Sequence, residues 1–410
     1  LEGKILVIAP RFPTVNQPWM DTYLVQLLRN NLSFAIYTKN FASTVHSKKI
    51  DTLGLKKYIL PFALLNKENA LSLVMAHPFK NLSILFECLR SGQHRKSLSV
   101  ADLLKFCHFM VNERLFFDVS IIHGHSEAST YEFLSFAKAK NIPVVLTFHG
   151  LQPAGVSQLA FDKRKILYEY ACRIIVNTNF AKSQVLGLGA PEQKVVVLPQ
   201  GLPIDDFPFY PPSAPRSGEL MRLISVGRYD RGKGQQYALI ALRRLLDIGV
   251  NVELVLVGVG PKGKAWLRGL ANKLGLQKNV LFLENVRNED MARLYMDSHL
   301  FILASTVSKS TGLTETQGVV IQEAQSSGLI PIVTNVGGIP ECVDDGQNAV
   351  LIKERSSRAI FKAVLDLLSR PNDWTRLQSN ARRHVEAHFS DSVIGAKMRD
   401  LLVEVVATAK

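Results

Sequence analysis

Short apolar runs that end in glycine or empty into a polar loop recur along this chain, each followed by a stretch with helical periodicity. Leu223-Ile224-Ser225-Val226 breaks at Gly227, Val255-Leu256-Val257 breaks at Gly258, and His299-Leu300-Phe301-Ile302-Leu303-Ala304 opens into the loop 305–316. Unalternating runs of this length fit parallel strands buried on both faces. Helix-period segments follow at 236–247 and 319–326. The N-terminal half repeats the theme, with strands expected at 4–9, 34–37, 119–123, 144–148 and 174–176 and helix-like spacers between them. Between residues 56 and 117 no strand pattern stands out, and that stretch reads as helical. Strand, glycine-bearing loop, helix, in repeated order, is the grammar of a doubly wound α/β sheet that binds nucleotides.

At 410 residues and 47% hydrophobic content the chain can fill two full cores. The boundary is read after Val195-Val196-Val197-Leu198-Pro199, where Gly201-Leu202-Pro203 leads into the Pro/Ser-rich stretch 211–218, which cannot continue a helix or strand. The expected division is an N-terminal domain 1–200, a connector 201–220 and a C-terminal domain 221–391.

Candidate chemistry concentrates in the second half. Glu315 and Glu323 bracket Thr316-Gln317-Gly318-Val319-Val320-Ile321-Gln322 at a loop-to-helix junction. Amides in the first turn of a helix have no internal partner and can bind an anion such as a diphosphate, and Gly318 lets the backbone approach it. The glutamates would sit about two turns apart, able to clamp one extended ligand. Two glutamates at this spacing also arise as a loop carboxylate plus a helix-surface one. Arg228 and Lys233, in the loop after the first of these strands, offer a fork and a point charge to phosphate oxygens; a solvated basic turn has the same composition. Gly258-Val259-Gly260 lacks the third glycine of the dinucleotide fingerprint. Two further strand ends deliver His123 and His125, and His149. Such histidines serve as structural hydrogen-bonding residues, as site residues, or, in a cluster, as metal ligands, although no Cys or carboxylate set accompanies these.

Taken together, Arg228 and Lys233 in their Val-Gly-Arg context, Gly258-Val259-Gly260, the Glu315/Glu323 motif and Gly337-Gly338-Ile339-Pro340-Glu341 resemble the retaining glycosyltransferases of family 4. The resemblance covers essentially the whole chain and is densest over 228–346. It implies an α/β GT-B fold, two Rossmann-like doubly wound domains facing a cleft, with the connector as hinge and the amphipathic run 392–410 returning to the N-terminal domain. It also implies roles. Arg228 and Lys233 contact the donor phosphates, Glu315 the transferred sugar and Glu323 the ribose. Gly318, Val319 and Val320 lend amides to the diphosphate and sugar, with Gly258 and Gly260 in the donor site. His125 is the first choice for the active-site histidine and His149 the second. Three positions depart from the family: the first loop, Arg11 to Met20, has no glycine, Gln317 stands where an aromatic residue is common, and Gln200 stands where Asn is usual.

The formal charge of +14 changes the picture in one respect. Lys48, Lys49, Lys56, Lys57, Lys67, Lys80, Arg90, Arg95, Lys96 and Lys105 alternate with apolar stretches such as Tyr58-Ile59-Leu60-Pro61-Phe62. Such a surface can hold anionic lipid headgroups or an acidic glycan, and is also what a solvated helical face looks like. No apolar run approaches the roughly eighteen residues of a spanning helix, and no signal peptide is visible. Cys88, Cys107, Cys172 and Cys342 read as reduced core cysteines, so the expected location is cytoplasmic, peripheral at the inner membrane face.

The expected activity is retaining transfer of a hexose from a UDP- or GDP-sugar to a glycan or lipid-linked hydroxyl in polysaccharide or glycolipid synthesis. No cofactor is expected, and the absence of Asp-x-Asp alongside the basic pair predicts metal independence. A sugar-nucleotide epimerase of similar fold is the alternative within enzymes. A non-catalytic glycan- or nucleic-acid-binding protein is the alternative outside them; no aromatic-basic nucleic-acid motif accompanies the charge, so no nucleic-acid partner is expected.

Overall fold

The computed structural model describes residues 2–13, 18–41, 48–60, 100–151, 159–308 and 312–409. The chain forms two compact units: Leu1–Asn177, Ala181–Leu198 and Gly395–Lys410 in one, Thr178–Phe180 and Pro199–Ile394 in the other. Among the described residues each unit is built on a six-stranded parallel sheet.

In the first unit the strands are β1 (Lys4–Phe12), β2 (Phe34–Phe41), β3 (Val119–Gly124), β4 (Val144–Phe148), β5 (Arg173–Val176) and β6 (Val195–Val197), in the order β2-β1-β3-β4-β5-β6. Period-two alternation sends Leu6, Ile8, Ile122 and Val144 to one face, where Phe106, Phe109, Phe133 and Phe136 cover them. Ile5, Val7, Ile121, Val145 and Ile175 are equally buried on the other. Both faces are therefore dry, as the unalternating apolar runs require. The last helix, Asp391–Ala409, contributes its part from Gly395 onward to this unit. Gly395 sits where a Cβ would meet Gln26 Oε1 at 2.5 Å, and Arg173 ties to Glu404 at 2.7 Å. Of the stretch expected to be helical, residues 61–99 lie outside the described ones; Leu55–Tyr58 is a 3-10 turn and Val100–Val111 a helix.

The second unit carries β7 (Met221–Val226), β8 (Val252–Val257), β9 (Val280–Leu283), β10 (Leu300–Leu303), β11 (Ile330–Thr334) and β12 (Val350–Ile352), in the order β12-β11-β10-β7-β8-β9. Leu223, Leu254, Leu256, Ile302 and Ile332 pack on the helices Gln235–Asp247 and Ser357–Leu368. The alternate residues Ile224, Val255, Val257, Phe301, Leu303 and Val333 face Ile321, Ala324, Tyr295 and Val385. Residues 211–218 contain no helix or strand.

In each sheet the strand order reverses at one place, between β1 and β3 and between β7 and β10. Parallel sheets of this kind bind ligands at the carboxyl ends of the strands flanking such a switch point, where the loops diverge to opposite faces and leave a crevice.

Candidate functional site

The switch point of the second unit collects the residues singled out by motif. After β7 the chain turns at Gly227, and the side chain of Asp230 accepts from the amides of Gly232 at 2.8 Å and Lys233 at 3.2 Å, fixing the turn Arg231–Lys233. Buried Tyr229 anchors the same loop, its hydroxyl 2.8 Å from Leu256 O and 2.6 Å from Leu283 O. Gly258 is required here by close approach: a Cβ would lie 2.0 Å from Gly227 O. Thus anchored, Lys233 points at the loop after β10 and places Nζ 2.5 Å from Glu315 Oε2, to which Ser305 Oγ also donates at 3.3 Å. Burial works against the charge of Glu315, but the Lys233 ammonium, the bonds from Lys233 and Ser305, and Arg228 together outweigh it and hold the carboxyl below its ordinary range. Arg228 is mostly exposed and pairs loosely with Asp230 at 3.3 Å.

Gly318 caps the helix Val319–Ser327 at φ 77°, in the left-handed region that favours glycine, so the chain can turn sharply from the Glu315 loop into the helix. The amides of Val319 and Val320 stand in its first turn. Gly338 N donates to Glu315 O at 2.9 Å, pinning the backbone of this loop from the Gly337-Gly338 segment. Gln317 is buried and makes a two-bond clamp: Gln200 N donates to its Oε1 at 2.7 Å and its Nε2 donates to Gln200 O at 3.1 Å. Two of the three departures from the family pattern therefore bond to each other.

Glu323 is not joined to Glu315. It accepts from Tyr295 OH at 2.8 Å. Burial pushes its carboxyl up to about 7, with the tyrosine bond opposing only in part.

The first unit has a different polar cluster at its own switch point. His125 follows β3 directly, with its amide donating to Ile8 O at 3.0 Å, and His149 follows β4. Their rings bond through His125 Nδ1 and His149 Nε2 at 3.2 Å, and Trp19 lies over His149 with centroids 4.0 Å apart. His123 is held between Tyr23 OH at 2.5 Å and Thr147 Oγ1 at 2.8 Å. Burial lowers all three histidines, His123 to about 3, His149 to about 4 and His125 well below its ordinary value, so the rings are neutral near pH 7. His125 Nε2 is buried with no hydrogen-bond partner among the described residues. Among the described residues no group of three or more His, Cys, Asp or Glu is arranged to hold a metal.

Sequence reasoning missed Trp19, Tyr23, Thr147 and Tyr295. Trp19 and Met20 fall in the glycine-free first loop as read from sequence, whereas Pro18 opens the helix Pro18–Arg29. Proline at a first helical position followed by aromatics at i and i+4 was the available signal. Nothing in the sequence marked Tyr295 as more than core. The basic stretch lies mostly outside the described residues; within them Lys56 is 3.8 Å from Asp51, and Lys105 is 2.5 Å from Glu132. No helix among the described residues is long and apolar enough to cross a membrane.

Residues 207–384 match the family of glycosyl transferases group 1, and residues 90–206 match Glycosyltransferase Family 4. The structure is similar to that of Anabaena HepE in complex with UDP and glucose, with a TM-score of 0.71 and 16% identity over 98% of this chain and 100% of that one. The chain has the GT-B fold, and glycosyltransferase family models together cover its residues 90–384. At that identity the likeness to HepE is one of fold. Among sequence relatives, this GT-B chain is 29% identical to a phosphatidylinositol N-acetylglucosaminyltransferase component of Arabidopsis thaliana, over 60% of its own length and 54% of that protein. It is 28% identical to the putative colanic acid biosynthesis glycosyltransferase WcaL of Escherichia coli, over 52% of each. The matched region spans about half the length of both relatives.

Proposed function

We propose that this chain is a retaining glycosyltransferase that moves a hexose from a nucleoside-diphosphate sugar to a hydroxyl of a glycan or glycolipid. One observation carries the reading: Lys233, Arg228, Glu315 and the first turn of the Val319 helix converge on the β7/β10 switch point. That arrangement offers cations and amides to a diphosphate with a carboxylate beside them.

In this reading the bond from the anomeric carbon to the diphosphate oxygen breaks with its electron pair leaving on phosphate. Lys233 and Arg228 stabilise the charge that grows there, the role a divalent ion takes in other sites. Val319 and Val320 amides add fixed donors. Glu315, kept ionised by Lys233, accepts from sugar hydroxyls, and Glu323 accepts from the ribose. Gly258 and Gly260 let the donor-site loops close against the backbone oxygens of Gly227 and Tyr229. His125, its ring bonded to His149, is taken as the active-site histidine. The acceptor hydroxyl attacks the face the diphosphate vacates and yields its proton to the departing phosphate, which retains the anomeric configuration without a protein nucleophile. The names of the relatives favour a lipid-linked or polysaccharide acceptor, and the basic composition of the N-terminal sequence favours work at an anionic membrane.

The test is a panel of UDP- and GDP-sugars scored for thermal stabilisation and slow hydrolysis, followed by transfer to lipid and glycan acceptors with and without EDTA. A donor that stabilises the protein and gives an axially linked product from an axial donor supports the proposal. Inversion, a strict metal requirement, or isomerisation of a donor without acceptor would each overturn the corresponding part.

A further inference from the structure

Tyr295 lies on the helix Asn288–Met296 and is fully buried, between Phe207 and Phe301 with ring centroids 6.1 and 6.2 Å away. A phenylalanine would satisfy that packing. The hydroxyl is what needs explaining, because a buried phenol must find an acceptor. Its acceptor is Glu323 Oε2 at 2.8 Å, on the neighbouring helix Val319–Ser327. We propose that Tyr295 is a positioning residue for nucleotide binding, its phenol holding the Glu323 carboxylate in the orientation that receives the ribose diol; this rests on the donor reading above.

The surroundings of Glu323 leave this role to Tyr295. From the helix Trp374–His388, Arg382 commits Nη1 to Ser326 O at 3.1 Å and Phe207 O at 2.9 Å and its Nε to Glu386. His384 faces Asp344 at 3.3 Å. From the sheet beneath come Phe301, Leu303 and Val333, which are apolar. On its own helix Ser327 Oγ donates to the backbone oxygen of Glu323, not to the carboxylate. Among the described residues, the phenol is the side chain that donates to this carboxylate. A ribose diol presents two hydroxyl donors, which bind best to an ionised carboxylate. Burial places Glu323 near 7, and the Tyr295 bond is the local force pulling it back toward the ionised form. Orientation and charge thus depend on one hydroxyl.

The experiment is calorimetric titration of UDP and GDP into the wild-type chain, Tyr295→Phe and Glu323→Gln from pH 5.5 to 8.5, alongside melting of the free proteins. UDP is also compared with 2′-deoxy-UDP. Wild-type affinity rises with pH through about 7 as Glu323 ionises. Tyr295→Phe weakens binding roughly three- to tenfold near neutrality. It also moves the rising limb to higher pH and narrows the preference for UDP over its 2′-deoxy analogue. Glu323→Gln supplies the baseline, retaining only the titration of the terminal phosphate near about pH 6. An unchanged pH profile in Tyr295→Phe, or a pH-independent loss accompanied by a lower melting temperature, overturns the positioning role. If neither nucleotide binds the wild-type chain, the donor reading fails and takes this inference with it.

Discussion

The two switch points solve different electrostatic problems with different materials. In the second unit the crevice is charged, with Lys233 and Glu315 in contact, both largely buried, and Arg228 nearby. In the first unit it is neutral: His125 bonds to His149, and His123, whose ring centroid lies 4.3 Å from that of His125, bonds to Tyr23 and Thr147, with no carboxylate among those bonds. A charged pair in a half-dry site can respond to a leaving group that gains charge. A neutral imidazole cluster can donate or accept without altering net charge, and its directionality comes from tautomers fixed by neighbours. Charge placement and hydrogen-bond placement are thus built separately, one on each sheet.

The sharpest way to break this comparison is Lys233→Met. If the proposed donor site is right, removing a cation at the diphosphate lowers turnover by about 10²–10³-fold. It also strands Glu315 in a buried position, and breaking such a pair costs about 3–5 kcal/mol. The sign with pH is fixed. Glu315 is held below its ordinary value by Lys233, so its stabilising effect is present above about pH 4.5 and fades as pH falls through the lowered value. The urea midpoint of Lys233→Met should therefore fall well short of wild type at pH 7 and converge with it in acid. Adding Glu315→Gln should recover stability at neutral pH without recovering turnover. Full turnover in Lys233→Met with a known donor would falsify the charge assignment.

The neutral side makes the opposite demand. Each buried histidine has a folded value below the ordinary one near 6.5, so between that value and its own the unfolded chain binds a proton that the folded chain refuses. Stability is intact above about pH 6.5 and should drop by up to about 1.4 kcal/mol per pH unit per histidine below it. Urea denaturation at pH 7.5 and 5.5 measures this. His123→Gln should flatten the slope by about one histidine's share after its fixed cost is subtracted. A midpoint insensitive to pH over that range would mean the cluster takes up protons in place and is not the neutral partner described here.

How well each site could be read from the sequence follows the same division. The charged site is assembled from residues close in sequence to glycines and strand ends: Arg228 and Lys233 in one loop, Glu315 and Gly318 in another. Local chemistry marked each of them. The α/β alternation was legible for a similar reason, since buried parallel strands read as unbroken apolar runs; Val144–Phe148 was expected and found with the same bounds. The neutral site depends on contacts across long separations, Tyr23 to His123 over 100 residues and His123 to Thr147 over 24. No window of sequence shows which aromatic ring will meet which imidazole. Tyr295 was hidden for the same reason, because its ring reads as core and its hydroxyl matters only once the Glu323 helix has packed beside it. The Gln317 to Gln200 clamp was visible only as two separate departures from a pattern.

That clamp gives the smallest expected effect and tests whether the contrast is one of chemistry or merely of location. Gln317 belongs to the charged unit, yet its two bonds to Gln200 are neutral. Gln317→Leu removes both and leaves the Gln200 amide and carbonyl without these partners, for a cost of about 1–2 kcal/mol that should not vary with pH or salt. Gln317→Glu keeps the acceptor for Gln200 N–H but points a second carboxylate oxygen at Gln200 O, in a position only 1% exposed. Burial and the facing carbonyl both oppose its ionisation, so the new carboxyl is raised above about 4.3 and its cost grows as pH rises through that range. Melting curves of the two variants at pH 5 and 8 separate the cases. A pH-independent Leu variant beside a Glu variant that worsens in base confirms a neutral clamp within the charged unit. Equal, pH-independent losses in both would show that Gln317 contributes through packing alone.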